Sequence, residues 1–247
     1  MNKHALIVGI LWVVFTAVCY AVVLSYSPFP VAASEQAKIV DDAFTLLTYL
    51  AIPVFSLVCA LLVYSMIRFG HNSRPGQDGP PMRSNRRVVW VWLAVTTALT
   101  AVMIIHPGIT GLLELRADDD NIDLVVQIEG RQWFWNAKYP EQSVQSRNEL
   151  VLPIDKTVQF LVMSHDVLHS FWVPAFRVKI DAVPGFITKV TATPTRLGTF
   201  NEETNYRLQC AELCGILHAE MQMPVRVVEQ AEFKQWVTEQ KPLAARR

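Results

Sequence analysis

Between residues 210 and 221 the chain reads Cys210-Ala-Glu-Leu-Cys214-Gly-Ile-Leu-His218-Ala-Glu-Met221, and a further histidine, His169, stands about 40 residues upstream after a strand-like run. Thiolates, imidazoles and a thioether together form the ligand set of copper in electron transfer. A mononuclear blue-copper site needs one cysteine, two histidines and a weak axial methionine, so a second cysteine is surplus to it. Two bridging thiolates can hold two coppers. Each copper then takes one imidazole, both share Cys210 and Cys214, and the weak outer ligands are Met221 and a backbone oxygen. An electron spread over two metals changes each bond length little, which suits a fast one-electron relay. Two simpler readings stand beside this one. In an oxidising compartment the C-x3-C pair could be a disulfide, which leaves His169, His218 and Met221 without a role. A Cys2His2 zinc site satisfies the ligand count and leaves Met221 accidental. The spacing is too long for a thioredoxin-type C-x-x-C, and no C-x-x-C-H offers a covalent haem site. Cys19 and Cys59 lie in apolar runs, where a thiol behaves as a small hydrophobe.

Such ligands must be held by a rigid scaffold, and the surrounding pattern supplies one. From about residue 118 the chain breaks into short alternating runs, IDLVVQI, LVLPI, TVQFLVM, FITKVTA and MPVRVVE, separated by Pro, Gly, Asn and Asp. These read as strands of an all-β Greek-key sandwich or barrel occupying residues 118–247, with a short polar helix near residues 231–240.

The first half is of a different kind. Residues 44–67 run for 24 positions without a charge, enough to cross about 30 Å of hydrocarbon as a helix. Thirteen of them are Leu, Ile, Val or Phe, which favours the bilayer by roughly 4 to 8 kcal/mol. Pro53 is expected to kink this span, as membrane helices tolerate. Residues 88–113 form a second span, with His106-Pro107-Gly108 marking a stop or bend near its far end. The connecting loop carries Arg68, Arg74, Arg83, Arg86 and Arg87 against Asp78 alone, which marks the cytoplasmic side and places everything after residue 113 outside. Residues 34–117 are thus expected to form a transmembrane helical hairpin. Residues 1–33 admit two readings. The apolar core of about 20 residues favours a retained helix, and the small residues Val31-Ala32-Ala33 favour a cleaved signal peptide.

Composition agrees with this division. Hydrophobic residues make up 51% of the 247-residue chain and charged ones 18%, a skew towards the membrane class. The 22 basic and 22 acidic side chains cancel, so there is no polybasic signature and nucleic acid is not an expected partner.

Cys210-Ala-Glu-Leu-Cys-Gly, followed by His218 and Met221, resembles the dinuclear copper (CuA) motif of cytochrome c oxidase subunit II, of the haem-copper oxidase family. Asp166-Val-Leu-His169-Ser resembles the family segment with the first copper histidine, Gly130-Arg-Gln-Trp-Phe-Trp135 its aromatic segment, and Asp181-Ala-Val-Pro-Gly185 an interface loop. The likeness covers roughly residues 40–240. It implies a cupredoxin domain on a membrane anchor, with His169, Cys210, Cys214, His218 and Met221 as ligands of two copper ions and Glu212 ligating through its backbone carbonyl. It also implies that the Glu212 carboxylate helps bind magnesium at the boundary with subunit I, and that Trp133 is the point of electron entry from cytochrome c. His165 and Met223 are near decoys. The family histidine is the one directly before the serine, and the three-residue step from His218 selects Met221.

The partners implied are a haem-bearing subunit I, other oxidase subunits, cytochrome c as donor, and membrane lipid. The expected location is a bacterial-type plasma membrane or an equivalent inner membrane, with the C-terminal domain on the extracytoplasmic side. The chain has no multi-histidine helical core, so it is expected to be the electron-entry subunit of an oxidoreductase that is not catalytic alone. Asp118, Asp119, Asp120, Asp123 and Asp166 are candidates for steering the donor. Two departures from the family pattern stand out: Arg87, where a glutamate is usual three residues before Trp90, and a few extra residues (NEETN) between Phe200 and Tyr206. Alternatives are the CuA-bearing subunit of a nitric oxide reductase, or a membrane-tethered copper-binding protein without an attached enzyme. Quinol oxidase subunits of similar fold lack these ligands.

Overall fold

The computed structural model describes residues 3–27, 29–70, 84–117 and 121–240. Arg74, Asp78, Arg83, Asp118, Asp119 and Asp120 fall outside the described residues. The chain divides into two compact units, one made of residues 1–28 and 42–111, the other of residues 29–41 and 112–247.

The first unit is helical. Helix α1 spans Lys3–Ser25 and α2 spans Glu35–Phe69. α3 spans Arg86–Met103, and an irregular turn over residues 104–109 leads to α4, Thr110–Arg116. Three helical stretches, Lys3–Ser25, Glu35–Phe69 and Arg86–Arg116, are long and apolar enough to cross a membrane. Asn85 starts α3 by accepting the Arg87 and Val88 amides at 3.1 and 3.4 Å, which satisfies donors that a helix start leaves unpaired. The turn after α3 has a local cause. The residue before a proline is pushed out of the helical region, and His106 accordingly sits at φ −140°, ψ 119°.

The second unit is built from β1 (Leu124–Arg131), β2 (Phe134–Tyr139), β3 (Val144–Ser146), β4 (Leu150–Pro153), β5 (Val158–Ser164), β6 (His169–Val173), β7 (Val178–Ala182), β8 (Thr188–Ala192), β9 (Gly198–Thr199), β10 (Arg207–Cys210) and β11 (Gln222–Val228), closed by α5 (Gln230–Glu239). One sheet has the order β3-β2-β1-β5-β8 and the other β4-β11-β10-β6-β7, with β9 paired to β11. Most neighbours are antiparallel, but β1 runs parallel to β5 and β11 parallel to β4. The all-β expectation holds, and all five runs read as strands fall on β1, β4, β5, β8 and β11.

Period-two burial along β1 and β5 turns Leu124, Val126, Ile128, Phe160 and Val162 inward, where they meet Phe171, Val173, Leu208 and Val225 of the other sheet. Phe160 and Phe171 join the layers with ring centroids 4.9 Å apart. At one end of the core the buried Tyr139 hydroxyl donates to the Val151 carbonyl at 2.9 Å and accepts the Val151 amide at 3.0 Å. Burial pushes its pKa up. Phe233 and Trp236 of α5 cover it, Trp236 at 5.1 Å between ring centroids.

Residues 29–41 belong to this unit. Ala33 is fully buried, donating its amide to the Ala175 carbonyl at 2.8 Å and accepting the Thr195 amide at 3.0 Å. The Ser34 hydroxyl donates to the Phe176 carbonyl and accepts the Ala37 amide, capping the first turn of α2. Arg177 forks onto the Asp41 carboxylate at 2.8 and 2.9 Å and donates to the carbonyls of Pro30, Val31 and Pro174.

Candidate metal centre

The two sheets place the chemistry at one end of the β-domain. His169 is the first residue of β6, Cys210 the last of β10, and both lie in one sheet because β6 and β10 pair, Cys210 opposite Phe171. Between β10 and β11 the chain makes a loop that carries Glu212, Cys214, His218 and Met221. Backbone bonds fix that loop. The Cys210 amide donates to the Met221 carbonyl at 3.0 Å, the Ala211 amide to Ser170, and the His218 amide to Gly215 at 3.1 Å. Gly215 has φ +119°, a conformation side chains disfavour, and a β-carbon there would lie 3.1–3.2 Å from Gln132 and Trp133.

The donor atoms converge. Cys210 Sγ lies 3.7 Å from Cys214 Sγ, 3.9 Å from His169 Nδ1 and 3.2 Å from the Glu212 carbonyl oxygen. Cys214 Sγ lies 3.6 Å from His218 Nδ1 and 3.8 Å from Met221 Sδ. Each sulfur thus has one imidazole beside it, with the thioether near one and the carbonyl near the other. The ligand atoms of His169, Cys210 and Cys214 all fall within 4.8 Å of one another, and all three residues are buried, as is Met221.

The electrostatics suit a cation. Burial, followed by the neighbouring Cys210 thiol, pushes the Cys214 thiol up to about 12. Two adjacent thiolates in a dry pocket repel each other, and a bound cation is what makes both ionised forms affordable. The set of two soft sulfurs, two imidazoles and a thioether fits copper better than a hard metal.

Around this cluster lies a second layer of bonds. Asp166 Oδ1 is 2.8 Å from His169 Nε2, which leaves Nδ1 turned towards Cys210. The other carboxylate oxygen accepts the Gln132 amide at 2.7 Å. Burial opposes ionisation of Asp166, but the Gln132 amide, the His169 ring and the Val167 amide outweigh it and hold the carboxyl at about 2. Gln132 Nε2 and the Trp133 indole N–H both donate to the Cys214 carbonyl, at 2.8 and 3.2 Å. The turn between β1 and β2 is therefore tied to both ligand-bearing segments.

The aromatic segment divides its labour. Trp133 is half-buried over the ligand loop, Phe134 is turned outward under the Arg147 guanidinium, and Trp135 is buried with its ring edge-on to His169 at 5.9 Å. Gly130 is forced by this packing, since a β-carbon there would sit 3.0 Å from the His169 ring and 3.1 Å from Trp135. His165 is exposed and 3.4 Å from Glu129, away from the sulfurs. Met223 is a core residue of β11 opposite Leu208. Asp123 is bound to Lys156 and the Thr157 amide, and Asp166 to the bonds just described. Asp166 and Gln132 as organisers of the site, and Trp135 as its lid, were not foreseen from sequence. The three-residue step from Asp166 to His169 is the one local signal that pointed to the first.

The chain is similar to several known proteins. Residues 141–229 match the family described as cytochrome c oxidase subunit II, periplasmic domain. The chain is similar to a probable cytochrome c oxidase subunit 2 of Rickettsia bellii, 30% identical over 81% of this chain and 78% of that one. It is also similar to an alternative cytochrome c oxidase subunit 2 of Bradyrhizobium diazoefficiens, 29% identical over 83% of this chain and 81% of the relative. Among solved structures, the periplasmic domain of subunit II of cytochrome oxidase of Bradyrhizobium japonicum is 34% identical, covering 49% of this chain and 94% of that domain, with a TM-score of 0.45.

Proposed function

The chain belongs to the cytochrome c oxidase subunit II family, and from that premise we propose that it accepts electrons singly from cytochrome c and relays them to haem in subunit I. There oxygen is reduced to water, coupled to proton translocation. The observation that carries this reading is the convergence of two thiols, two imidazoles, a thioether and a backbone carbonyl at one end of the β-domain. His169 and His218 would each hold one copper ion, Cys210 and Cys214 would bridge the pair, and Met221 and the Glu212 carbonyl would be the weak outer ligands. When bound, such a pair supplies a one-electron couple with little change of bond length. Glu212 offers its carboxylate to a hard cation such as magnesium at the contact with subunit I.

The chain's own residues prepare that centre. Asp166 accepts the Nε2–H of His169 and so fixes which ring nitrogen faces the sulfurs. Trp135 and Met221 exclude water. Trp133, bonded through its indole N–H to the carbonyl of a ligand residue, is the natural point of electron entry. Arg131 and Arg147 lie with Phe134, Glu129 and Lys138 around one surface pocket, so the face beside the aromatic segment carries charges of both signs. The arginines at residues 68, 86 and 87 favour a cytoplasmic side for the loop between α2 and α3, and hence an extracytoplasmic β-domain in a bacterial-type plasma membrane.

Metal analysis and electron paramagnetic resonance of the subunit purified with its complex test the centre. Two coppers per chain, with one unpaired electron coupled to both nuclei, are the expected result. One localised copper, a zinc ion or a Cys210–Cys214 disulfide would overturn it.

A further inference from the structure

We propose that α1 is a permanent third membrane-spanning helix seated on α2, retained in the mature chain rather than removed at the Ala33–Ser34 bond.

The first observation lies in the helical unit. Pro53 has no amide hydrogen, so the carbonyl four residues back, that of Tyr49, loses its helical partner. Hydrocarbon offers no water to replace it, and a neighbouring helix must do so. α1 does. The Tyr20 hydroxyl donates to the Tyr49 carbonyl at 2.8 Å, and the Trp12 indole donates to the carbonyl of Pro53 itself, also at 2.8 Å. Further contacts join Cys19 to Ser56 and His4 to Tyr64, so the two helices run antiparallel along most of their shared length. The α2 residues Ile52, Ser56 and Ala60, spaced four apart, are buried as one stripe. A leader needs only to be apolar while it is being exported. An aromatic donor on the orphaned carbonyl of another helix, with a second on the proline's own carbonyl, serves a lasting partnership.

The second observation lies in the β-domain unit and does not depend on the first. The residues just ahead of the candidate cleavage bond are built into that domain. The carbonyls of Pro30 and Val31 accept from Arg177, and both backbone groups of Ala33 are paired, to Ala175 and Thr195. Cutting after Ala33 would discard two acceptors of a half-buried guanidinium and open a fully buried position.

The intact mass of the subunit purified from membranes decides the matter. Retention gives a chain that still carries residues 1–33, 27.9 kDa for the 247 residues together. A chain beginning at Ser34 overturns the proposal whatever metal the β-domain holds, so its failure is distinct from that of the functional reading. The helix pairing has its own test in detergent-purified subunit. Tyr20→Phe should lower the unfolding midpoint by about 2–4 °C. In a Pro53→Ala background, where an amide again serves Tyr49, the same change should have no effect. An equal loss in both backgrounds, or none in either, rules the pairing out.

Discussion

The helical unit and the β-domain use apolar residues in opposite senses. In the helices Val13, Phe55 and Ile67 point outward while Tyr20, Trp12 and Ser56 make contacts between helices. In the β-domain Val126, Phe160 and Leu208 are fully buried, and charges such as Lys156 and Glu232 face out. Both keep polar groups inside, and those groups differ in kind. In the helices the Tyr20 and Trp12 donors each meet a backbone carbonyl. At the end of the β-domain, lone pairs of sulfur and imidazole nitrogen face one another at 3.6 to 3.9 Å, an arrangement that a cation completes. The helical donors meet their acceptors within the fold, whereas the sulfur and imidazole lone pairs would be satisfied by a bound metal.

The contrast is broken most directly by Cys210→Ser or Cys214→Ser. Either change should abolish binding of the copper pair while leaving membrane insertion intact, as metal analysis of the membrane-extracted variant would read. Full copper content in either variant would remove the thiols from the centre. A smaller effect comes from Asp166→Asn, which leaves the fold but weakens the hold on the His169 ring. Copper affinity should fall on the order of 10–100-fold, with an altered hyperfine pattern, measured by competition with a chelator. An unchanged affinity and spectrum would make Asp166 a turn residue only.

The smallest effect lies at Asp123, which shares no bond with the ligand residues. The Thr157 amide and the Lys156 ammonium hold its carboxyl below the ordinary carboxylate value, against some burial. A depressed folded pKa gives stability that is present above the unfolded value of about 3.9 and is lost as pH falls through the folded one. The wild type should therefore exceed Asp123→Asn in urea midpoint at neutral pH, and the gap should close on acidification below about pH 4. A gap independent of pH would assign the difference to packing.

What sequence revealed follows from how local each feature is. Cys210, Cys214, His218 and Met221 lie within one loop, so their spacing carried the centre. Choosing His169 over His165 needed the resemblance, because only the pairing of β6 with β10 brings it in. The uncharged run 44–67 lies within α2, yet the helix begins at Glu35, since its polar first turns pack on the β-domain through Gln36 and Asp41, where hydropathy gives no signal. Strands β2 and β6 were not read because aromatic and ligand residues interrupt their alternation, and β10 because its alternation lasts only four residues. Tyr20 and Pro53 are each unremarkable alone. Their relation exists only once two helices lie side by side.

The place of β11 sets an order of events in the life of the chain. It is the last strand made, yet it lies inside its sheet, between β4 and β10, with Leu150 opposite Val225 and Val228 opposite Pro153. A chain growing from its N-terminus presents His169 and both thiols before the strand that closes their loop exists, and pairing so distant in sequence is slow to form. Assembly of the centre therefore belongs to the completed chain. A ribosome stalled anywhere before residue 222 leaves a product in which neither the sheet nor the ligand loop can close.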